Sequence, residues 1–448
     1  MHEYHERRLV GEFDAAALAA RLAGSGLFAE YVVYERGGTW WFAGDALAEV
    51  VADHRSARLR QGGRERAVPL GQRPIERVGE LLGEVEPSDW RAFGWTGFSF
   101  GRPGTEGVQL RLLVPRTEIR LNATEIVVRT LDPRRHAEIE HMVAAPDNAP
   151  PRQARPLDVD TDRDRFQATV AEVVAAIRRG VVRKVILSRV VDVPFDVDMP
   201  ATYLVGRRHN TPARSFLLDL GGWQVAGFSP ETVAEVSPDG SVSTQALAGT
   251  RALHDDEITD ASLRRELESD PKEVYEHAAS VKLACDELAS VCAAGSVAVT
   301  DFMTVRHRGS VQHLGSRVGG RLAGDRRGPV AAFGALQALF PAVTASGIPK
   351  AAAFDQIDRL EDRPRGLYAG AVLMAGADGD LDAALVLRAL FRSGGRTWLR
   401  AGAGIVADSR PAREYEETCE KLRSVAPHLV SAHDRDHDRD HDLVGTTG

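Results

Sequence analysis

The chain has 448 residues, 43% of them hydrophobic and 27% charged, which suffices for one large domain or for two or three smaller ones around a buried core. A net charge of -8, without a stripe of Lys and Arg interleaved with aromatic residues, argues against nucleic acid as a partner. The polar N-terminus lacks a signal-like apolar core and no run approaches the length of a membrane span, so we expect a cytoplasmic protein without membrane contact.

Helical and strand-like patterns alternate over the first 150 residues. Helical periodicity covers residues 13–18, and a Gly-Gly turn joins two β-rich stretches of residues 31–43 into a predicted hairpin. Further strand-like runs cover residues 108–115, 118–121 and 124–129. We interpret residues 1–150 as scaffold, and the Pro-, Asp- and Asn-rich stretch 144–163 as an exposed connection.

A helix and a strand-rich region follow this connection. The helix has an apolar face from Phe166 to Ile177, and a strand follows at residues 184–193. A meander of strands is predicted at residues 215–220, 223–228, 232–236 and 241–247. Glu231 stands where one of these strands begins. Leu247–Arg251 is predicted to be a small-residue loop whose N–H groups and hydroxyl can bind an anion.

The last third combines helices and strands. Pro271 opens a long helix, and shorter helices are predicted at residues 331–339 and between Pro349 and Pro364. Strands are predicted at residues 301–305, 310–316, 366–372, 385–390 and 397–406. The final Asp-, His- and Arg-rich repeat, residues 433–448, is predicted to be a disordered tail.

Two predicted helices carry closely spaced carboxylates. Glu273 and Glu276 share one helical face, as do Glu414, Glu417 and Lys421 near the end of the chain. If these faces meet, the four carboxylates repel one another unless a hard divalent cation such as Mg2+ neutralises them. A solvated helix face is the commoner cause of such spacing, so spacing alone leaves both explanations open.

Three single residues are also candidates for chemistry. Lys184 opens an apolar strand, where burial or cationic neighbours can lower its pKa enough for it to act as a base. A lysine that reaches water is the commoner case. Glu231 fits equally a solvated carboxylate at a strand edge, and His313 fits a core histidine with a backbone partner.

Several ordered motifs resemble the chorismate-utilising enzymes, which include anthranilate, aminodeoxychorismate, isochorismate and salicylate synthases. The motifs are KVILSR (184–189), GFSPE (227–231), LAGTRA (247–252), SDPKEVYEH (269–277), GSVQHLGS (309–316), FPAVTASGIPK (340–350), GLYAGAV (366–372), WLRAGAGI (398–405) and EYEETCEKL (414–422). The resemblance is strong over residues 160–430, looser over the first 150, and closest to salicylate synthases of siderophore pathways.

The resemblance implies an α+β fold, an α/β sandwich of two large, mostly antiparallel sheets with helices outside. The many meandering strands and long helices favour the same class. We expect one domain over residues 1–432, with the scaffold part at 1–150, the catalytic motifs at 160–430 and the tail at 433–448.

The resemblance also implies roles for individual residues. Lys184 is expected to be the general base that activates water, and Glu231 the general acid that protonates the leaving hydroxyl. Glu276 and Glu417 are expected to bind Mg2+ directly, with Glu273 and Glu414 acting through its waters. The other expected substrate contacts are Gly249, Thr250, His313, Thr344, Tyr368, Arg388, Gly402 and Lys421.

The expected activity is conversion of the small molecule chorismate, through isochorismate, to salicylate and pyruvate. The lysine at position 184 is typical of members that use water rather than ammonia, so no amidotransferase subunit is expected, and the family leans towards monomers. An isochorismate synthase that releases its intermediate is the main alternative. The large subunit of an aminating synthase is a second alternative; aminodeoxychorismate synthases are disfavoured because many of them have a lysine where this chain has Ala248. A non-catalytic chorismate-binding regulator also remains open.

Overall fold

The structure, a computed structural model, describes residues 3–102, 104–145, 152–324 and 327–432. The predicted disordered tail at 433–448 and the middle of the predicted connection, residues 146–151, lie outside the described residues. In the described part, no helix is long and apolar enough to cross a membrane.

The described residues form twenty β-strands and ten α-helices. The strands are β1 (His5–Val10), β2 (Tyr31–Arg36), β3 (Thr39–Ala52), β4 (Ser56–Gln61), β5 (Arg64–Pro69), β6 (Arg91–Thr96), β7 (Leu110–Leu121), β8 (Glu125–Thr130), β9 (Lys184–Asp192), β10 (Arg214–Leu220), β11 (Trp223–Ser229), β12 (Thr232–Val236), β13 (Ser241–Ala252), β14 (Ala298–Arg308), β15 (Val311–Arg321), β16 (Gly347–Ile348), β17 (Ala371–Gly376), β18 (Leu381–Leu385), β19 (Ala389–Ser393) and β20 (Arg396–Ile405). The helices are α1 (Ala15–Gly24), α2 (Pro74–Leu82), α3 (Arg134–Ala144), α4 (Arg163–Arg178), α5 (Met199–Arg208), α6 (Glu257–Ser269), α7 (Pro271–Ala289), α8 (Gly328–Leu339), α9 (Lys350–Leu360) and α10 (Pro411–Leu422).

Two antiparallel sheets share the long strands β3 and β7. The first sheet runs β1-β8-β7-β3-β2-β10-β11-β19-β20-β9-β16. The second runs β5-β4-β3-β7-β6-β17-β18-β12-β13-β15-β14. The predicted α+β fold with two large antiparallel sheets is therefore confirmed.

The junction of the two sheets corrects one prediction. Residues 108–115 and 118–121 were expected to be separate strands. Residues 110–121 form the single strand β7, and Pro115 pairs with Ala46 beside a register shift between Ala46 and Ala48. A proline is tolerated at such an irregularity because a regular ladder bond is already missing there.

Two neighbouring chain segments cross from one sheet to the other. Residues 230 and 231 connect β11 of the first sheet to β12 of the second, and residues 386–388 connect β18 to β19 in the opposite direction. The Leu385 N–H donates to the Glu231 carbonyl at 3.2 Å, and the Phe228 N–H donates to the Arg388 carbonyl at 3.1 Å. These hydrogen bonds hold the two crossings together. The first crossing places Glu231 between the sheets, and the second places Arg388 there.

Three predicted boundaries near these crossings were wrong. The strand expected at 385–390 is broken because the chain changes sheets at Arg388, whose φ is +50°. The strand expected at 366–372 begins only at Ala371, since Gly366 (φ +56°) opens a turn. The loop expected at Leu247–Arg251 is part of β13, with a register shift between Ala248 and Thr250.

The helices α7 and α10 carry the four predicted metal-binding glutamates. The Asp270 side chain caps α7 by accepting the Lys272 N–H, and Pro271 occupies the first turn. Helix α7 packs on β13 and β15, whereas α10 packs on β20 and α4. Both acidic faces are buried, so the explanation of a solvated helix face is wrong for these helices.

Candidate active site

A cavity lies between the sheet crossings and the helices α7 and α10. Eleven of the fourteen predicted site residues line it: Glu231, Gly249, Thr250, Glu276, His313, Thr344, Tyr368, Arg388, Gly402, Glu417 and Lys421. The other three, Lys184, Glu273 and Glu414, lie directly behind its wall and contact residues that line it or their neighbours. The structure therefore brings together residues that are up to 237 positions apart in the chain.

Glu231 lies in the crossing between β11 and β12 and is 2% exposed. Its Oε1 accepts the Thr344 hydroxyl at 2.6 Å, and its Oε2 accepts the Leu247 N–H at 2.7 Å. Burial raises the pKa of this carboxyl to about 7, although both hydrogen bonds and the Lys184 charge act in the opposite direction. A substantial fraction of Glu231 is therefore protonated near neutral pH, as a general acid requires.

Lys184, at the start of β9, is 2% exposed and does not line the cavity itself. Its Nζ donates to Ser280 Oγ at 2.9 Å and lies 3.0 Å from Glu276 Oε1. Glu276 thus separates the amine from the open space of the cavity. The expected role of Lys184 as a base therefore requires a small movement of one of these side chains.

The acidic cluster, which we define as Glu273, Glu276, Glu414 and Glu417, joins α7 to α10. Lys272 Nζ lies within 3.1–3.7 Å of three of its members, namely Glu273, Glu276 and Glu414. Burial raises the pKa of Glu414 to about 7. Burial also opposes the ionisation of Glu417, but Lys421 and Lys272 outweigh it and hold its pKa at about 2.

The acidic cluster has the donor chemistry that Mg2+ prefers, since all its ligands are carboxylate oxygens. Glu414 Oε2 is buried without a hydrogen-bond partner, which leaves one acceptor available. Among the described residues, no three acidic, His or Cys side chains already converge as a metal cage. The residues therefore fit a hard divalent ion in chemical type, and the Lys272 ammonium lies between the carboxylates.

Thr250, His313 and Arg388 form a second polar wall. Thr250 Oγ1 lies 3.0 Å from His313 Nδ1, which is 3.2 Å from the Gly249 carbonyl. Arg388 donates to His313 Nε2 and to the Arg308 carbonyl. Burial and the Arg388 charge hold the pKa of His313 well below its usual value. The imidazole is therefore neutral, and because Nε2 accepts from Arg388, Nδ1 carries the proton.

Gly402 and Lys421 form the wall next to Tyr368. Lys421 Nζ donates to the Gly402 carbonyl at 2.9 Å and to Glu417 Oε1 at 2.7 Å. A methyl group at position 402 would lie 2.6 Å from the Leu187 carbonyl oxygen and 2.9 Å from Tyr368 Oη, so only glycine fits. The phenol of Tyr368 therefore reaches the cavity through the space that this glycine leaves.

Sequence reasoning assigned no role to three residues that shape the site. Lys272 is in the SDPKEVYEH motif, but helix spacing singled out only the glutamates. Arg400 lines the cavity and donates to Glu361 Oε2 at 2.5 Å. The Arg400 guanidinium lies over the Tyr368 ring, 5.3 Å from its centre. The WLRAGAGI motif contains Arg400, whereas no pattern pointed to Glu361, because its partners come from distant parts of the chain.

The chain is similar to proteins of known family along most of its length. Residues 30–427 match the family described as chorismate binding enzyme. A salicylate synthase of Mycolicibacterium paratuberculosis is 46% identical over 439 residues, which is 93% of this chain and 94% of that protein. An anthranilate synthase component 1 of Streptomyces coelicolor is 40% identical over 262 residues, 58% of this chain and 50% of that protein.

Solved structures share the fold at lower identity. The menaquinone-specific isochorismate synthase MenF of Escherichia coli superimposes with a TM-score of 0.73 at 22% identity, covering 95% of this chain and 94% of that one. Anthranilate synthase component I of Streptococcus pneumoniae gives a TM-score of 0.71 at 26% identity, covering 87% and 92%. The resemblance inferred from the motifs is thereby confirmed, and the chain belongs to the chorismate binding enzyme family.

Proposed function

We propose that this protein is a salicylate synthase, which converts chorismate through isochorismate to salicylate and pyruvate. The observation that carries the proposal is Glu231, a buried carboxyl in the cavity with a pKa of about 7, surrounded by groups suited to an anionic ring. The 46% identity to a salicylate synthase over nearly the whole chain supports the same choice.

The first step exchanges a hydroxyl group across the ring. Lys184, as the base, takes a proton from water, and the oxygen of that water bonds to C2 while the ring double bond shifts. The C4–O bond breaks, and Glu231 gives its proton to the departing hydroxyl, which leaves as water. The base gains one proton and the acid loses one, so exchange with solvent resets both groups and the step is a net isomerisation.

The two carboxylates of the substrate need separate cationic partners. Arg388 and Lys421 line the cavity and supply positive charge, and the Tyr368 hydroxyl adds a donor. We assign this wall to the enolpyruvyl carboxylate because the planar fork of Arg388 matches such a group. We assign the ring carboxylate to Gly249 and Thr250, which lie beside the acidic cluster.

We infer that the protein depends on Mg2+ held by Glu276 and Glu417, with Glu273 and Glu414 supporting it through water. When bound there, the ion would neutralise the acidic cluster and the ring carboxylate. The Thr250 N–H donates to Glu273 Oε2 at 3.1 Å, which ties this part of β13 to the acidic cluster. His313 fixes the Thr250 hydroxyl from the other side.

The second step removes pyruvate from isochorismate. We propose an internal transfer of the C2 hydrogen to the enolpyruvyl methylene while the C3–O bond breaks, which aromatises the ring. No residue has to carry a proton in this step. The role of the chain is to hold isochorismate in the reactive conformation and to keep water out of the cavity. Buried Tyr368 and Ala401 and partly buried Leu387 line the cavity and suit that role.

We also propose an assembly state, a cellular compartment and a use of the product for this enzyme. We expect residues 1–432 to act as one monomeric catalytic unit in the cytoplasm, without an amidotransferase subunit. Its salicylate is expected to enter the biosynthesis of a siderophore or a related natural product.

Incubation of the purified protein with chorismate and Mg2+ tests the proposal. We expect fluorescent salicylate and an equal amount of pyruvate, measured with lactate dehydrogenase. Accumulation of isochorismate without pyruvate would make the protein an isochorismate synthase instead. A product that requires ammonium would identify an aminating synthase, and binding of chorismate without turnover would identify a regulator.

A further inference from the structure

The acidic cluster already contains a cation supplied by the chain. Lys272 Nζ lies 3.3 Å from Glu273 Oε1, 3.7 Å from Glu276 Oε2 and 3.1 Å from Glu414 Oε1. These carboxylates belong to both α7 and α10, so a single ammonium bridges the two helices. In the described part of the chain, Lys272 is also the one ion-pair partner of Glu414.

The acidic cluster is already surrounded by basic side chains of the chain itself. Within the described residues, four basic side chains lie in ion-pair contact with the four glutamates: Lys184, Arg251, Lys272 and Lys421. A divalent cation that enters therefore adds two positive charges to a buried site that already contains these basic side chains. Because buried excess charge is costly, entry is favoured when a resident cation leaves.

In the described part of the chain, Lys272 is the resident cation whose side-chain hydrogen-bond and ion-pair partners all belong to the cluster. Each of the other three also bonds to a group outside the cluster, Lys184 to Ser280, Arg251 to Asp270 and Lys421 to the Gly402 carbonyl. The hydrogen bond found for the Lys272 ammonium goes to Glu273, inside the cluster. The Lys272 side chain is 13% exposed, so its flexible stem has a path to water; Lys421 is 21% exposed but is held by the Gly402 carbonyl.

We propose that Lys272 is a built-in competitor for Mg2+ that sets the affinity of the acidic cluster for the metal. Without Mg2+, its ammonium neutralises the cluster and holds α7 and α10 together. When Mg2+ binds, the ammonium leaves the cluster and moves into solvent. This inference rests on the proposed function only in placing Mg2+ at these glutamates.

Calorimetric titration of the full-length protein with Mg2+, without substrate, tests the competition directly. The variant Lys272→Met should bind Mg2+ at least tenfold more tightly, whereas Lys272→Arg should stay close to the parent because it keeps the competing charge. Lys350→Met is the matched control, since Lys350 is a mostly buried lysine paired with Glu287 at 2.5 Å, outside the cluster. It should leave Mg2+ affinity unchanged. Equal or weaker Mg2+ binding by folded Lys272→Met would overturn the proposal.

A second measurement needs no substitution and so remains valid if Lys272→Met does not fold. Reductive methylation followed by mass spectrometry reports how accessible each lysine is. Labelling of Lys272 in the parent protein should rise several-fold when Mg2+ is added, and labelling of Lys350 should not. Constant labelling of Lys272 at saturating Mg2+ would overturn the proposal.

These outcomes are separate from those that test the proposed function. A protein that shows the expected Mg2+ binding and Lys272 labelling but forms no salicylate contradicts the reaction and leaves the competition intact. A protein that forms salicylate while Lys272 stays protected contradicts only the competition.

Discussion

Glu231 and Glu361 are both buried carboxyl groups near the cavity, yet their surroundings are opposite. Glu231 accepts one hydroxyl and one N–H, and no Lys or Arg in the described residues forms an ion pair with it. Glu361 accepts two bonds from Arg365, one from Arg400 at 2.5 Å, and two more from the Ser188 N–H and hydroxyl. Burial raises the pKa of Glu231, whereas the arginines overcome burial and lower that of Glu361.

The comparison shows that partners rather than burial decide what a buried acid does. Glu361 is held ionised by two guanidiniums, and these guanidiniums lie over the Tyr368 ring at 5.3 and 5.6 Å. Its carboxylate therefore supports the wall of the cavity. Glu231 has few partners that favour its charge, so it retains a proton that it can give away. A change of glutamate to glutamine should therefore reduce mainly the activity at position 231 and mainly the stability at position 361.

The largest effect is expected for Glu231→Gln. The amide keeps the shape of the protonated acid but cannot release a proton, so salicylate formation should fall by about 10² to 10⁴-fold. The melting temperature should change little, because the native state already favours a neutral group at this position. Salicylate fluorescence and calorimetry measure the two quantities. A fully active Glu231→Gln would remove Glu231 from the mechanism.

Glu361→Gln should instead act on stability. It leaves the Arg365 and Arg400 guanidiniums without their shared carboxylate, and breaking a buried ion pair in this way costs roughly 3–5 kcal/mol. Chemical denaturation should show this loss in the free energy of unfolding. Adding Arg400→Met should recover part of it, because one unpaired charge is removed with its partner. Strictly additive losses would show that the two side chains do not depend on each other.

Hydrophobic patterns and turn residues predicted the strands and the fold class. The residues of the cavity were expected from the resemblance of the motifs to chorismate-utilising enzymes, because spacing alone left the roles of Glu231, His313 and the paired glutamates open. Strand ends at the crossings were predicted wrongly, since the break at Arg388 follows from the change of sheet, which local propensity does not reveal.

Charge partners were the least predictable part of the site. Lys272 is adjacent to Glu273 in sequence, but its contact with Glu414 needs α7 and α10 to meet. Glu361 and Ser188 are 173 positions apart, and no pattern links them. Likewise, the strand position of Lys184 was predicted correctly, whereas its place behind Glu276 depends on how α7 packs.

The two acids should also respond to pH with opposite sign. As pH rises through about 7, Glu231 loses its proton, so kcat/KM for chorismate should fall up to tenfold per pH unit above that value. The raised pKa of Glu231 also affects the free energy of unfolding. Its stabilising contribution is complete below pH 4.5, the ordinary pKa of a glutamate, and is lost as pH rises from there to about 7. The contribution of Glu361 is present above 4.5 and is lost as pH falls through its lowered pKa. A pH profile of Glu231→Gln that kept the alkaline fall would assign it to another group.

The smallest effect is expected for Thr344→Val, which keeps the side-chain shape but removes the hydroxyl that donates to Glu231 Oε1. That hydrogen bond stabilises the carboxylate form, so its loss should raise the pKa of Glu231 further. A bond of about 0.5–1.5 kcal/mol corresponds to a shift of at most about one pH unit. The alkaline fall of kcat/KM should therefore move to higher pH, and the variant should lose less activity than the parent between pH 7 and 8. A shift in the opposite direction would mean that Thr344 accepts a hydrogen bond from protonated Glu231, which would make the threonine a stabiliser of the acid rather than of its anion.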